Sequence, residues 1–145
     1  MLKSKLIKKL TRKPDVVINV DVMGVPYLSR WYVIPRNRIV NVYLHKFERS
    51  DDDMLHDHPW YSLSFLLKGE MLETSFKGVR HIPRFIPVFR SAKFAHRLDI
   101  VKGPVYTMFV TGPVIRSWGF YSWDKTWFPW KVVDEHRKTN FPNGF

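Results

Sequence analysis

The chain has 145 residues, of which 45% are apolar and 16% aromatic, and it contains no cysteine. That is one domain of ordinary size with enough apolar matter for a core. It excludes a disulfide framework and a thiolate metal site. A formal charge of +11 admits nucleic acid, acidic lipid or an anionic small molecule as partner and selects none of them.

Residues 1–13 read as a basic amphipathic arm. Leu2, Leu6 and Leu10 recur every fourth residue, and Lys3, Lys5, Lys8, Lys9, Arg12 and Lys13 precede the first acid, Asp15. The pattern predicts a short helix ended by Pro14. Its leucines would pack on the domain. A phosphate or nucleic-acid contact is the sharper reading of its charge.

Residues 14–145 make the domain, and after Pro14 the texture is β. The segments 16–20, 28–34 and 39–47 are rich in Val, Ile, Tyr and Trp, with turn chemistry at Met23-Gly24-Val25-Pro26 and Pro35-Arg36-Asn37-Arg38. Ser50-Asp51-Asp52-Asp53 is an acidic loop. Residues 60–67 predict a strand that stops at Lys68-Gly69-Glu70, read as a hairpin, with 71–76 returning. Pro83 and Pro87 reduce 79–90 to a broken or edge strand. Segments 94–101, 105–111 and 114–121 follow, separated by Lys102-Gly103-Pro104 and Gly112-Pro113. Trp123, Trp127, Phe128 and Trp130 would cover an open sheet, and 134–138 suggest a helical turn. About eight to ten short strands at close spacing predict an all-β sandwich or barrel.

The chemistry concentrates at Met54-Leu55-His56-Asp57-His58-Pro59-Trp60. On an extended chain alternate side chains share a face, so His56 and His58 point together and Asp57 points away. Two neutral imidazoles there suit zinc, copper, iron or nickel. A third ligand is needed, and His96, in a later β segment, is the best candidate. No apolar run approaches the roughly 18 residues of a membrane span. The absence of cysteine favours the cytoplasm.

His56-x-His58, Gly69 eleven residues later and a lone histidine on a later strand resemble the cupins, a superfamily of double-stranded β-helix (jelly-roll) proteins. The resemblance covers roughly residues 27–125. It extends to Tyr43-Leu44-His45-Lys46-Phe47 and Ala95-His96-Arg97, and to the stretch from Thr111 to Phe120. These pieces are similar to small cupin-like proteins of bacteria and tailed phages. The resemblance implies a jelly roll with a metal held by His56, His58 and His96. Ser62 stands where the family's Glu ligand would be, so that ligand does not carry over. The three-histidine set is similar to that of the cysteine-dioxygenase-type cupins. It implies Fe(II) first, with Zn, Mn or Ni as other ions such a site accepts.

The expected function is therefore a small Fe(II)-dependent oxygenase-like enzyme acting on an anionic small molecule. A non-catalytic binding module for an anion or nucleic acid, and a structural cupin, are the alternatives. His45 shares a face with Asn41, Tyr43 and Phe47 and is a candidate fourth ligand or general base. Ser62 and Ser64, below the histidine pair, would hold a metal-bound water or a substrate oxygen. Asp51 or Asp53 could add a carboxylate. Arg97, Arg116 and Trp118 are candidate substrate contacts, the arginines as forks for a carboxylate or phosphate. Cupins often pair through sheet edges, so a homodimer is also expected.

Overall fold

The computed structural model describes residues 12–20, 24–50 and 54–140. The candidate arm helix, Asp51 and Asp53 lie outside the described residues.

Ten strands follow in chain order: β1 (Val16–Val20), β2 (Pro26–Tyr32), β3 (Asn41–Phe47), β4 (Leu55–His56), β5 (Ser62–Ser75), β6 (Gly78–His81), β7 (Val88–Arg90), β8 (His96–Thr111), β9 (Gly119–Tyr121) and β10 (Trp127–Pro129). One helix, α1 (Trp130–Asn140), closes the described chain. The strands form a single curled sheet in the order β1-β2-β3-β8-β4-β9-β10, with β5 against β8 and carrying β6 and β7. No helix among the described residues is long and apolar enough to cross a membrane.

Two expected turns are not turns. β5 runs through Lys68-Gly69-Glu70 and β8 runs through Lys102-Gly103-Pro104, and the two strands pair antiparallel from Ser62↔Thr111 to Ser75↔His96. The glycines mark a bend in this long pair. The register shifts there, between Leu66 and Met71 of β5. Gly69 has φ +88°, and a Cβ on it would lie 2.8 Å from the carbonyl oxygens of both Lys102 and Pro104. Only glycine allows that backbone conformation and that approach together.

The bend also changes which residues face inward. Ser62, Ser64 and Leu66 are buried before it, and Gly69, Met71 and Glu73 after it. The inward set moves from even to odd numbers, as a bulge dictates.

Leu28, Phe47, Leu66, Met71, Ile82, Val88 and Val105 form one apolar cluster inside the curl. Burying a Leu, Val, Phe or Met side chain contributes about 1.5–3 kcal/mol, so the barrel has a core that does not depend on the polar site. Residues 79–90 are broken as their prolines require, into the short strands β6 and β7. Of segment 114–121 only Gly119–Tyr121 is strand. The helical turn predicted at 134–138 lies within the longer α1.

Candidate metal centre

Three elements bring the histidines together. β4 places His56 directly across from His96, the first residue of β8. His58 follows β4 and is fixed by its backbone N–H, which donates to the Ala92 carbonyl at 3.0 Å. The candidate ligand atoms of His56, His58 and His96 all lie within 4.8 Å of one another. The three ring centroids are 4.9–5.1 Å apart. This is a three-histidine group that could hold a metal ion.

The donor set fits an ion in two further respects. His58 Nδ1 is buried without a hydrogen-bond partner, so a good lone-pair or N–H site is left unused by the protein. Burial, then the neighbouring His56 and His96, hold His58 well below the usual histidine range. Burial likewise pushes His96 down to about 4, against the pull of Glu73. Both rings are neutral at pH 7, the form that ligates metal.

Glu73 was not legible as a site residue. It is 1% exposed. Its Oε2 lies 2.7 Å from His96 Nδ1. Arg90 Nε donates to the same oxygen, and Arg80 donates to Oε1. Burial alone would raise the Glu73 carboxyl, but the bonds from His96 and the charge of Arg90 overcome it and hold the group at about 2. A carboxylate can only accept from a neutral imidazole N–H. His96 is therefore protonated on Nδ1 and presents Nε2 as its lone-pair atom. This carboxylate–imidazole arrangement fixes ring orientation and raises ligand basicity. The carboxylate missing at Ser62 is thus supplied eleven residues later, behind a histidine.

A cavity of about 500 Å³ opens beside the three histidines. That is within the usual range of about 300–1,000 Å³ for small-molecule sites. Its walls are mostly apolar and aromatic, including Leu66, Met71, Trp60, Phe109, Trp118 and Phe120. Its polar points are the three histidines, Ser64 with Arg90, Thr107, Asp134, and the pair Arg30 and His45.

The other expected residues fall into two groups. His45 and Trp118 line this cavity. His45 is outside the three-histidine group, and its Nε2 accepts from Arg30 Nε at 2.9 Å. Trp118 stacks on Trp130 of α1, with ring centroids 5.9 Å apart. Ser62 does not line the cavity. It is 3% exposed and sits in register between Arg90 and Thr111, whereas Ser64 faces the cavity and accepts from Arg90 Nη1 at 2.7 Å.

The expected arginine forks are turned elsewhere. Arg97 pairs with Asp99 at 3.4 Å and lies over the Trp123 ring. Arg116 is not on a strand with Trp118. Its Nη1 is 2.7 Å from the fully buried Asp57 carboxylate, and it donates to the carbonyl of His58. Asp57 in turn accepts from the Gly119 N–H at 2.7 Å. Asp57 points away from the histidines as alternation requires, and with Arg116 it braces the segment that carries them.

No family model matches the sequence, and no curated protein matches it. Solved structures do match. KdgF from Halomonas sp. is 14% identical with a TM-score of 0.53, over 66% of this chain and 86% of its own. An RmlC-like cupin from Shewanella frigidimarina is 15% identical with a TM-score of 0.52, over 68% and 85%. The DMSP lyase DddQ from Ruegeria pomeroyi is 16% identical with a TM-score of 0.53, over 66% of this chain and 50% of that one. This chain therefore spans half the length of the lyase. At such identities the likeness shows the fold, and the fold is that of the cupins. The chain thus has a jelly-roll fold of the cupin type, with a three-histidine group beside a cavity of about 500 Å³.

Proposed function

We propose that this protein is a metal-dependent enzyme acting on a small organic molecule bound in the cavity. The observation that carries the reading is the juxtaposition of three histidines, one held by a buried carboxylate, with a cavity of about 500 Å³. His56, His58 and His96 would hold one divalent ion; three imidazoles suit several metals, and the resemblance to the three-histidine cupins puts Fe(II) first. Bound there, it would supply Lewis acidity, and with iron a place for O₂ beside the substrate.

The chain's own residues do the rest. Glu73 fixes the His96 tautomer. Trp60, Phe109, Trp118 and Phe120 exclude water and fit an apolar substrate body. Ser64 is turned to the cavity beside Arg90, where its hydroxyl can meet a substrate oxygen. The oxygenase reading draws on the carboxylate-free ligand set. The similarity to a DMSP lyase favours, as a second reading, elimination chemistry on the same ion.

The test is elemental analysis of protein purified without chelator, followed by oxygen consumption with Fe(II). One ion per chain, lost in His56→Ala, His58→Ala and His96→Ala variants that still fold, is the expected result. Protein that carries no metal and takes up none overturns the proposal. Metal binding without oxygen uptake leaves the elimination reading.

A further inference from the structure

The cavity has a second polar pole, distinct from the histidine group. Arg30 on β2 and His45 on β3 face each other across the strand pair, and Thr107 on β8 is the next residue in that row. All three line the cavity. Arg30 Nε donates to His45 Nε2 at 2.9 Å, so His45 carries its proton on Nδ1 and remains neutral. The guanidinium lies over the Tyr43 ring, 4.5 Å from its centroid, and Arg36 adds a second cation over the same ring at 5.6 Å. Among the described residues no carboxylate pairs with Arg30. Arg90, the other arginine at the cavity, is already matched by Glu73.

A guanidinium largely removed from water, with a neutral imidazole on its Nε, still has Nη donors in a planar fork. Its desolvation is offset only in part by the aromatic face. A carboxylate is the group that completes such a fork with two parallel charge-assisted bonds. The two poles are joined by an aromatic wall. His45 contacts Phe109 at 5.2 Å, Phe109 contacts Trp60 at 5.5 Å, and Trp60 stacks on His58 at 5.0 Å. Asp134 lines the cavity on α1, one turn from Trp130, which stacks on Trp118 beside His56. Arg30 therefore stands at the far end of this wall from the histidine group.

We propose that Arg30, seated by His45, anchors the carboxylate of the substrate, whose apolar body lies along Phe109 and Trp60 toward the histidine group. The substrate class is thus an organic carboxylate with an apolar or aromatic chain that reacts at the end remote from the carboxylate. This rests on the cavity being the substrate site, and it moves the expected anion anchor from Arg97 and Arg116 to Arg30.

The probes are phenylacetate, 4-phenylbutyrate and octanoate, each against its neutral amide. Binding is measured by calorimetry on metal-loaded and on chelator-treated protein. The carboxylates should bind at least about tenfold tighter than their amides, as a charge-assisted bidentate contact implies. Arg30→Gln should remove that preference with metal content unchanged, and Arg30→Lys should restore part of it. Should the Arg30→Gln variant not fold, nuclear Overhauser contacts from phenylacetate to the Phe109 and Trp60 rings of the wild type decide the placement. The preference should survive chelation, so a protein that proved to bind no metal would still report on Arg30. Equal binding of amides, a preference unchanged in Arg30→Gln or lost with the metal, absence of those ring contacts, or no carboxylate binding at millimolar concentration would each overturn the proposal.

Discussion

Glu73 and His96 meet across the β5–β8 pair, with Glu73 Oε2 2.7 Å from His96 Nδ1, although 23 residues separate them in sequence. The contact assigns the ring its tautomer and leaves Nε2 as its lone-pair atom. It also ties the candidate metal centre to the buried Arg90, which shares the same carboxylate oxygen.

Replacing Glu73 with Gln should therefore act on two properties at once. Loss of the carboxylate behind a ligating histidine typically weakens metal binding about 10–100-fold. Leaving the buried Arg90 without its counter-charge should cost about 3–5 kcal/mol of stability. Metal titration and urea denaturation of the same variant measure the two effects. Unchanged metal affinity would show that the bond does not orient a ligand.

Acid should destabilise the chelated protein progressively. Burial lowers His96 from 6.5 to about 4, so the unfolded chain takes up that proton first as pH falls below 6.5. The bonds that Glu73 accepts lower it from 4.5 to about 2, so its contribution is complete above 4.5 and is lost as pH falls through about 2. Each shift corresponds to stability on the order of 3 kcal/mol. Denaturation midpoints should fall from pH 6.5 downward, with a further fall below 4.5. In Glu73→Gln the lower step should vanish. A midpoint flat between pH 7 and pH 4 would contradict this account.

Asp57 and Arg116 should matter for the fold more than for ligand binding. Asp57 is fully buried, and Arg116 is its ion-pair partner at 2.7 Å. Asp57→Ala leaves the arginine unmatched and the Gly119 N–H without its acceptor, at a cost of about 3–5 kcal/mol. Arg116→Lys keeps the charge and should cost less. Since Asp57 lies between two histidines of the group, the alanine variant should also lose metal affinity. Equal denaturation midpoints for wild type and Asp57→Ala would remove the bracing role.

Gly69→Ala should be among the costlier glycine substitutions. It meets both a φ of +88° and two carbonyl oxygens at 2.8 Å, whereas Gly24, at φ +79°, has nothing within 4 Å. The Gly24 change should cost about 1–2 kcal/mol, the conformational penalty alone. The Gly69 change adds a steric clash at the bend and should exceed about 3 kcal/mol. Thermal melts of the two variants side by side decide it.

The sequence by itself determined what depends on nearest neighbours along the chain. Alternation put His56 and His58 on one face and Asp57 on the other. Val, Ile and aromatic runs between Pro and Gly turns marked the β class. Motif order singled out His96 as the third histidine. Only the tertiary structure decided what depends on the bend in the β5–β8 pair. A strict two-residue period carried forward from Ser62 would put Leu72 and Thr74 inside. The register shift near Gly69 put Met71 and Glu73 there instead, because the bulged strand resumes its pleat one residue out of phase. The same limit applies to the arginines. Arg30, Arg90, Arg97 and Arg116 are equivalent as letters. Which of them meets a carboxylate, a ring or the cavity is set by strands that pair across long sequence separations, and no local period carries that information.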